Sequence, residues 1–177
     1  MRQTDVRWLL VWVANLLLLW LAGLANHYLA PHGVHVYALG LTVVYAALRL
    51  DYRHGFIAVA LTGLAYDAME PVPFGTHILL LGVAHALLVT GRQRFPREEP
   101  IFATVVALLV NLALFLALSF LLIGAAPRPG ETWLRLLADL VASQLTLALV
   151  TPWFVALNAA LLARARLDPE TGRRVEL

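Results

Sequence analysis

Long apolar runs, broken at short intervals by arginine, proline and glycine, set the limits on what this chain can become. A helix needs about 20 apolar residues to cross roughly 30 Å of hydrocarbon, and fewer where protein shields it. Six runs are candidates: Trp8 to Leu29, Val34 to Leu50, Gly55 to Met69, Gly75 to Thr90, Ile101 to Ile123, and a last one within Trp133 to Leu162. Runs two, three and four are short and read as tilted spans shielded by the longer helices. A five-helix count that fuses two of them is the alternative. The chain has 61% hydrophobic and 14% charged residues, with a mean hydropathy of +0.78. A water-facing surface needs more charge, since soluble domains carry about 25%. The expectation is one all-α integral membrane domain over residues 1–177, a bundle of about six transmembrane helices.

The arginines test that count, because loop charges took no part in choosing the spans. Arg2 and Arg7 precede run one. Arg49 and Arg53 lie between runs two and three, and Arg92, Arg94 and Arg97 between runs four and five. Arg164, Arg166, Arg173 and Arg174 follow run six, which leaves Arg128 and Arg135 for the other three connections. Under the positive-inside rule this alternation predicts six spans with both termini cytoplasmic. Run one is too long for a typical signal core and ends in no clear cleavage site, so it reads as a retained anchor. Run six is too long for one simple span. An interfacial first turn is expected, then a span near 134–162 with a kink at Pro152, which has no amide hydrogen. Arg135 and Asp139 are four apart and are expected to pair on one helix face.

Polar residues inside the apolar runs mark function or partnering. Asp67 sits near the end of run three, with Gly63 one turn before it and Glu70 three residues on. A glycine there lets another backbone approach, leaving the carboxylate against packed protein. Pro71 and Pro73 end the helix and Gly75 opens run four, which predicts a tight outer hairpin. Gly63, Asp67, Glu70 and Gly75 are therefore the partner or pocket candidates. Solvation of both acids at the interface is the competing reading, weighted more heavily for Glu70. Asn15, Asn111, Gln144 and Asn158 are read as hydrogen bonding to other helices, and His85 as a packed or hydrogen-bonded residue. His27, His32 and His35 cluster in the first outer loop but match no metal signature. The absence of cysteine excludes disulfides and thiolate chemistry. Ser119 and Ser143 lie outside any Gly-x-Ser-x-Gly setting, and no metal-protease or phosphate-loop motif is present. The reading is of a non-enzymatic protein with no cofactor and no metal.

The stretch GFIAVALTGLAYDAMEPVPFGTHILLLGVAHALL, Gly55 to Leu88, resembles the central region of the MreD family. The resemblance lies in Gly55-Phe56, in Gly63-Leu64 followed by Asp67, and in Phe74-Gly75. It covers roughly a fifth of the chain, with hydropathy alone agreeing outside it, and the EPVP turn is richer in proline than the family pattern. The resemblance implies a multi-pass protein of the bacterial cytoplasmic membrane that belongs to the cell-shape (elongation) machinery. Its expected partners are MreC, MreB filaments, peptidoglycan synthases and membrane lipid, with nucleic acid not among them. Arg49, Arg53, Arg92, Arg94 and Arg97 would form a cytoplasmic face for MreB or anionic lipid, against the plainer reading of topology signals. The family is also similar in architecture to the substrate-binding subunits of energy-coupling transporters. That similarity implies the alternative, a transporter subunit with a small-molecule pocket near Asp67, Glu70 and Asn111 or Asn158. Fold alone does not choose between scaffold and carrier.

Overall fold

A computed structural model describes residues 6–92, 100–123 and 129–165 of the chain. Six α-helices account for nearly all of them: α1 (Arg7–Leu29), α2 (Leu39–Arg49), α3 (Tyr52–Met69), α4 (Thr76–Gly91), α5 (Pro100–Ile123) and α6 (Pro129–Arg164). A 3-10 turn, Ala30–His32, follows α1 and closes on Gly33 with φ +69°. The described residues contain no strand. Three helical stretches are long and apolar enough to cross a membrane: Arg7–His32, Ile101–Leu121 and Thr132–Arg164. By length and composition this is a membrane protein, and α2 and α4 are shorter apolar helices beside those three. Each apolar run holds its own helix, with no two fused. Arg2, Arg94, Arg97, Arg128, Arg166, Arg173 and Arg174 lie outside the described residues.

The helix α2 explains the architecture. Every residue from Leu39 to Leu48 is buried, including Gly40 and Thr42. A helix apolar all round belongs in the middle of a bundle, and α2 packs against each of the other five helices. Its 11 residues rise about 16 Å, half the thickness of a hydrocarbon layer. The longer α1, α5 and α6 carry many exposed apolar side chains instead, among them Trp20, Leu109, Leu145 and Leu149. Leu and Ala, both good helix formers, dominate these segments.

Run two is shorter as a helix than Val34 to Leu50 suggested, because residues 34–38 are not helical. Side chains of other elements take their backbone groups. Asn26 of α1 accepts from the Val36 amide and donates to the Val36 carbonyl, at 2.8 and 3.0 Å. Asp139 accepts from the His35 amide at 2.7 Å and Ser143 Oγ from the Tyr37 amide at 2.9 Å. Irregular backbone inside a membrane protein persists where protein groups satisfy it in this way. Asp139 is thereby engaged with the link and forms no ion pair with Arg135 among the described residues. The i, i+4 spacing allowed that pair, but the buried amide has the stronger claim on the carboxylate.

Close helix contacts sit at glycines. A Cβ on Gly40 would overlap the backbone of Asn111, and the Gly40 amide donates to Asn111 Oδ1 at 3.1 Å. Asn15 Nδ2 donates to the Thr42 carbonyl and to Thr62 Oγ1, both at 3.0 Å, tying α1 to α2 and α3. Gln144 Nε2 reaches the Leu108 carbonyl of α5 at 3.0 Å. Asn158 departs from the expected interhelical role: its Nδ2 bonds the Phe154 carbonyl of its own helix. Pro152 lies inside α6, and the helix continues on both sides of it.

The Gly40–Asn111 seam can be tested by thermal denaturation in detergent. Asn111→Ala is expected to cost about 1 kcal/mol, the size of one interhelical hydrogen bond. Gly40→Leu is expected to cost more, because the side chain meets backbone that cannot rotate away. Unchanged midpoints for both variants would refute the seam.

Candidate functional site

The residues that the sequence singled out gather at one end of the bundle, where α1 and α3 finish and α4 begins. Gly75 starts α4 with φ +98°, a left-handed conformation that favours glycine. Glycine has no side chain to cap the helix it opens, and the first amides of any helix lack partners. Asp67, from the last turn of α3, supplies the cap. Its Oδ2 accepts from the Gly75 amide at 3.0 Å and the Ile78 amide at 3.3 Å. Its Oδ1 accepts from the His77 amide and from His77 Nδ1, both at 2.9 Å. The carboxylate is buried, and its charge also suits the positive end of the α4 dipole. The His77 ring lies against Tyr66 with centroids 5.1 Å apart.

Gly63 serves the same joint. A Cβ there would stand 2.8 Å from Ile78 Cα, so α3 and α4 meet backbone to backbone. Further along the seam, a Cβ on Gly55 would stand 2.6 Å from His85 Nε2. The His85 ring is fully buried between Tyr52 and Phe56, with centroids 5.5 and 6.1 Å away. Neither ring nitrogen of His85 has a hydrogen-bond partner. The turn itself is outward: Met69 and Phe74 are 65% and 71% exposed, and Pro71 and Pro73 are exposed too.

Glu70 has a different place from Asp67. It is half-buried and lines a cavity of about 390 Å³ with His35, Tyr37, Phe115, Ser119, Arg135 and Asp139 among its other walls. Asp67, Asn111 and Asn158 are not among the residues that line this cavity. Asp67 is turned into α4 and Asn111 into α2, each by its own hydrogen bonds. The link 34–38 separates this polar cavity from an apolar one of about 220 Å³. His35 and Tyr37 line the first, and Val36 and Ala38 the second. No group of three or more histidine and acidic side chains suited to a metal occurs among the described residues. His35 instead lies against Asn26, with Nε2 3.0 Å from Nδ2.

The opposite end of the bundle holds Arg7, Arg49, Arg53 and Arg92. Buried Arg7 donates to Asp51 Oδ1 at 2.8 Å. Asp51 caps α3 through the His54 amide and contacts His54 Nδ1 at 2.7 Å. Arg92 donates to the Ala47 and Leu50 carbonyls, closing the C-terminal end of α2. Of the proposed basic face, Arg92 is thus occupied within the fold, Arg49 is half-buried and Arg53 is exposed. Arg94 and Arg97 fall outside the described residues.

Sequence reasoning missed His77, Asp51, Asn26 and the link-capping role of Asp139 and Ser143. A signal existed for His77: a helix-opening glycine cannot cap itself, which points to the nearest acid and to the residues just inside the new helix. No family model, curated protein or solved structure matches the chain.

Loss of the Asp67 cap has a defined signature. Asp67→Ala is expected to destabilise the protein by about 3 kcal/mol, since it strands buried amides that had a charged acceptor. Asp67→Asn keeps one acceptor oxygen and should cost less. Thermal denaturation reads the ranking, and protease nicking within residues 70–75 should rise in the same order. Wild-type stability in Asp67→Ala would refute the capping role.

Proposed function

We propose that this chain is a non-enzymatic membrane subunit of the bacterial cell-shape and peptidoglycan elongation machinery, of the MreD kind. In this reading the chain crosses the cytoplasmic membrane six times, with the link 34–38 and α2 together making the second crossing, and both termini are cytoplasmic. The protein binds MreC and helps couple MreB filaments inside to cell-wall synthases outside. The observation that carries the reading is where the resemblance residues lie. Gly55, Phe56, Gly63, Asp67 and Gly75 all act on the α3–α4 seam, and Phe74 stands exposed at its tip. These residues build a rigid hairpin and present its turn, which suits a docking element.

The distribution of arginine supports the orientation. Arg7, Arg49, Arg53 and Arg92 share the end where α1 and α3 begin and α2 and α4 finish, and α6 returns to Arg164. Arg135 belongs to the other end, with the cavity. Positive residues collect on the cytoplasmic side, so the hairpin turn faces outward, where the bulk of MreC would lie.

The test is co-purification from membranes that co-express MreC, comparing wild type with Phe74→Ser and Met69→Ser. These side chains are exposed, so the variants should keep wild-type thermal stability. MreC is expected with the wild type, and its recovery should fall several-fold with the two variants together. Absence of MreC from the wild-type sample would overturn the scaffold reading.

A further inference from the structure

We propose that the polar cavity between the end of α3, the link 34–38, α5 and α6 binds a small zwitterion that carries an ammonium group and a phosphate. The cavity of about 390 Å³ falls within the range of about 300–1,000 Å³ typical of ligand sites. Among the described residues its charged walls are Glu70, Asp139 and Arg135, two carboxylates and one guanidinium. A ligand with a single charge would leave one sign unanswered, and a zwitterion meets both.

The Glu70 side chain and Arg135 have no hydrogen-bond or ion-pair partner among the described residues. Asp139, 4% exposed, gives one oxygen to the His35 amide, which leaves the second for the cavity. Ser119 is equally buried, at 4%, lines the cavity and has no partner for its hydroxyl among the described residues. The Tyr37 hydroxyl is also unpartnered, and Tyr37 lies within electrostatic reach of Glu70, Asp139 and Arg135 together.

The donors and acceptors sort by charge. Arg135, Ser119 and Tyr37 offer donors of the number and kind that a tetrahedral oxyanion accepts, and guanidinium pairs well with phosphate. Glu70 and the free oxygen of Asp139 accept from an ammonium. Phe115 and Tyr37, in edge-to-face contact with centroids 5.4 Å apart, supply aromatic surface for the cation. Ethanolamine phosphate offers both groups, as the free monoester, which carries further negative charge at neutral pH, or as the singly charged phosphodiester headgroup of a membrane lipid. The site stands on the cavity alone and requires neither MreC binding nor transport, so it survives or fails apart from the scaffold reading.

Titration calorimetry on the purified full chain in detergent tests it, with ethanolamine phosphate, ethanolamine and inorganic phosphate as probes. A parallel arm follows retention of phosphatidylethanolamine against phosphatidylglycerol from mixed nanodiscs by native mass spectrometry. Binding of ethanolamine phosphate above either half-molecule supports the site and makes the free zwitterion a ligand. Selective retention of phosphatidylethanolamine without soluble binding supports the same chemistry with a lipid source. In either case Glu70→Gln and Arg135→Gln should each weaken binding at least about tenfold, a loss of about 1.4 kcal/mol, with unchanged melting temperature. No binding in either arm, or wild-type binding by both variants, overturns the proposal.

Discussion

Backbone amides and carbonyls that leave a helix inside this protein must find partners within the protein, and the rest of the structure depends on how they do so. In hydrocarbon an unsatisfied backbone group costs several kcal/mol. Three breaks in helical structure occur around the buried α2 and the α3–α4 hairpin, and polar side chains close each of them. Asp67 closes the start of α4 and Asp51 the start of α3. Asn26, Asp139 and Ser143 close the link before α2, and Arg92 closes its far end. Most of the polar residues that first look functional in an apolar sequence are doing this work.

Those closures also explain the division of the molecule into two unlike ends. Arginine capping at one end leaves carbonyls satisfied and positive charge nearby, with Arg7 drawn into the fold by Asp51. At the other end the caps are carboxylates and amides, and among the described residues they leave Glu70 and Arg135 unpartnered at the wall of a cavity. The apolar turn of Met69, Pro71, Pro73 and Phe74 stands beside that cavity in the chain. The proposed docking element and the proposed ligand site can therefore share one end without sharing residues, since the turn is exposed and Glu70 lines the cavity.

Close approach sets the second requirement. Gly40 against Asn111, Gly63 against Ile78 and Gly55 against His85 each bring two elements nearer than any side chain allows. Helix association in lipid gains little from apolar burial, so dense backbone packing and a few hydrogen bonds carry it. The short α2 and α4 are held in the bundle by such contacts, which their own length and hydropathy do not provide.

The apolar runs, the turn glycines and prolines, and the arginine pattern made the helices legible: each run became a helix within a few residues of its expected bounds. Gly63, Asp67 and Gly75 were legible as one unit, because helix periodicity and turn chemistry are local rules that act within a dozen residues. What each polar group bonds was not legible. Asp139 is 104 residues from the His35 amide that it accepts from, and Asn111 is 71 from Gly40. Residues 34–38 are apolar enough for a helix, and only distant side chains make the non-helical path cheaper. The division of two neighbouring acids into a cap and a cavity wall has the same origin. Apart from the start of α2, the sequence by itself determined where helices form and where they stop, since that follows from local apolar length and backbone stereochemistry. The tertiary structure decided which carboxylate is buried in a cap and which lines a cavity, because hydrogen-bond partners are chosen by position in space.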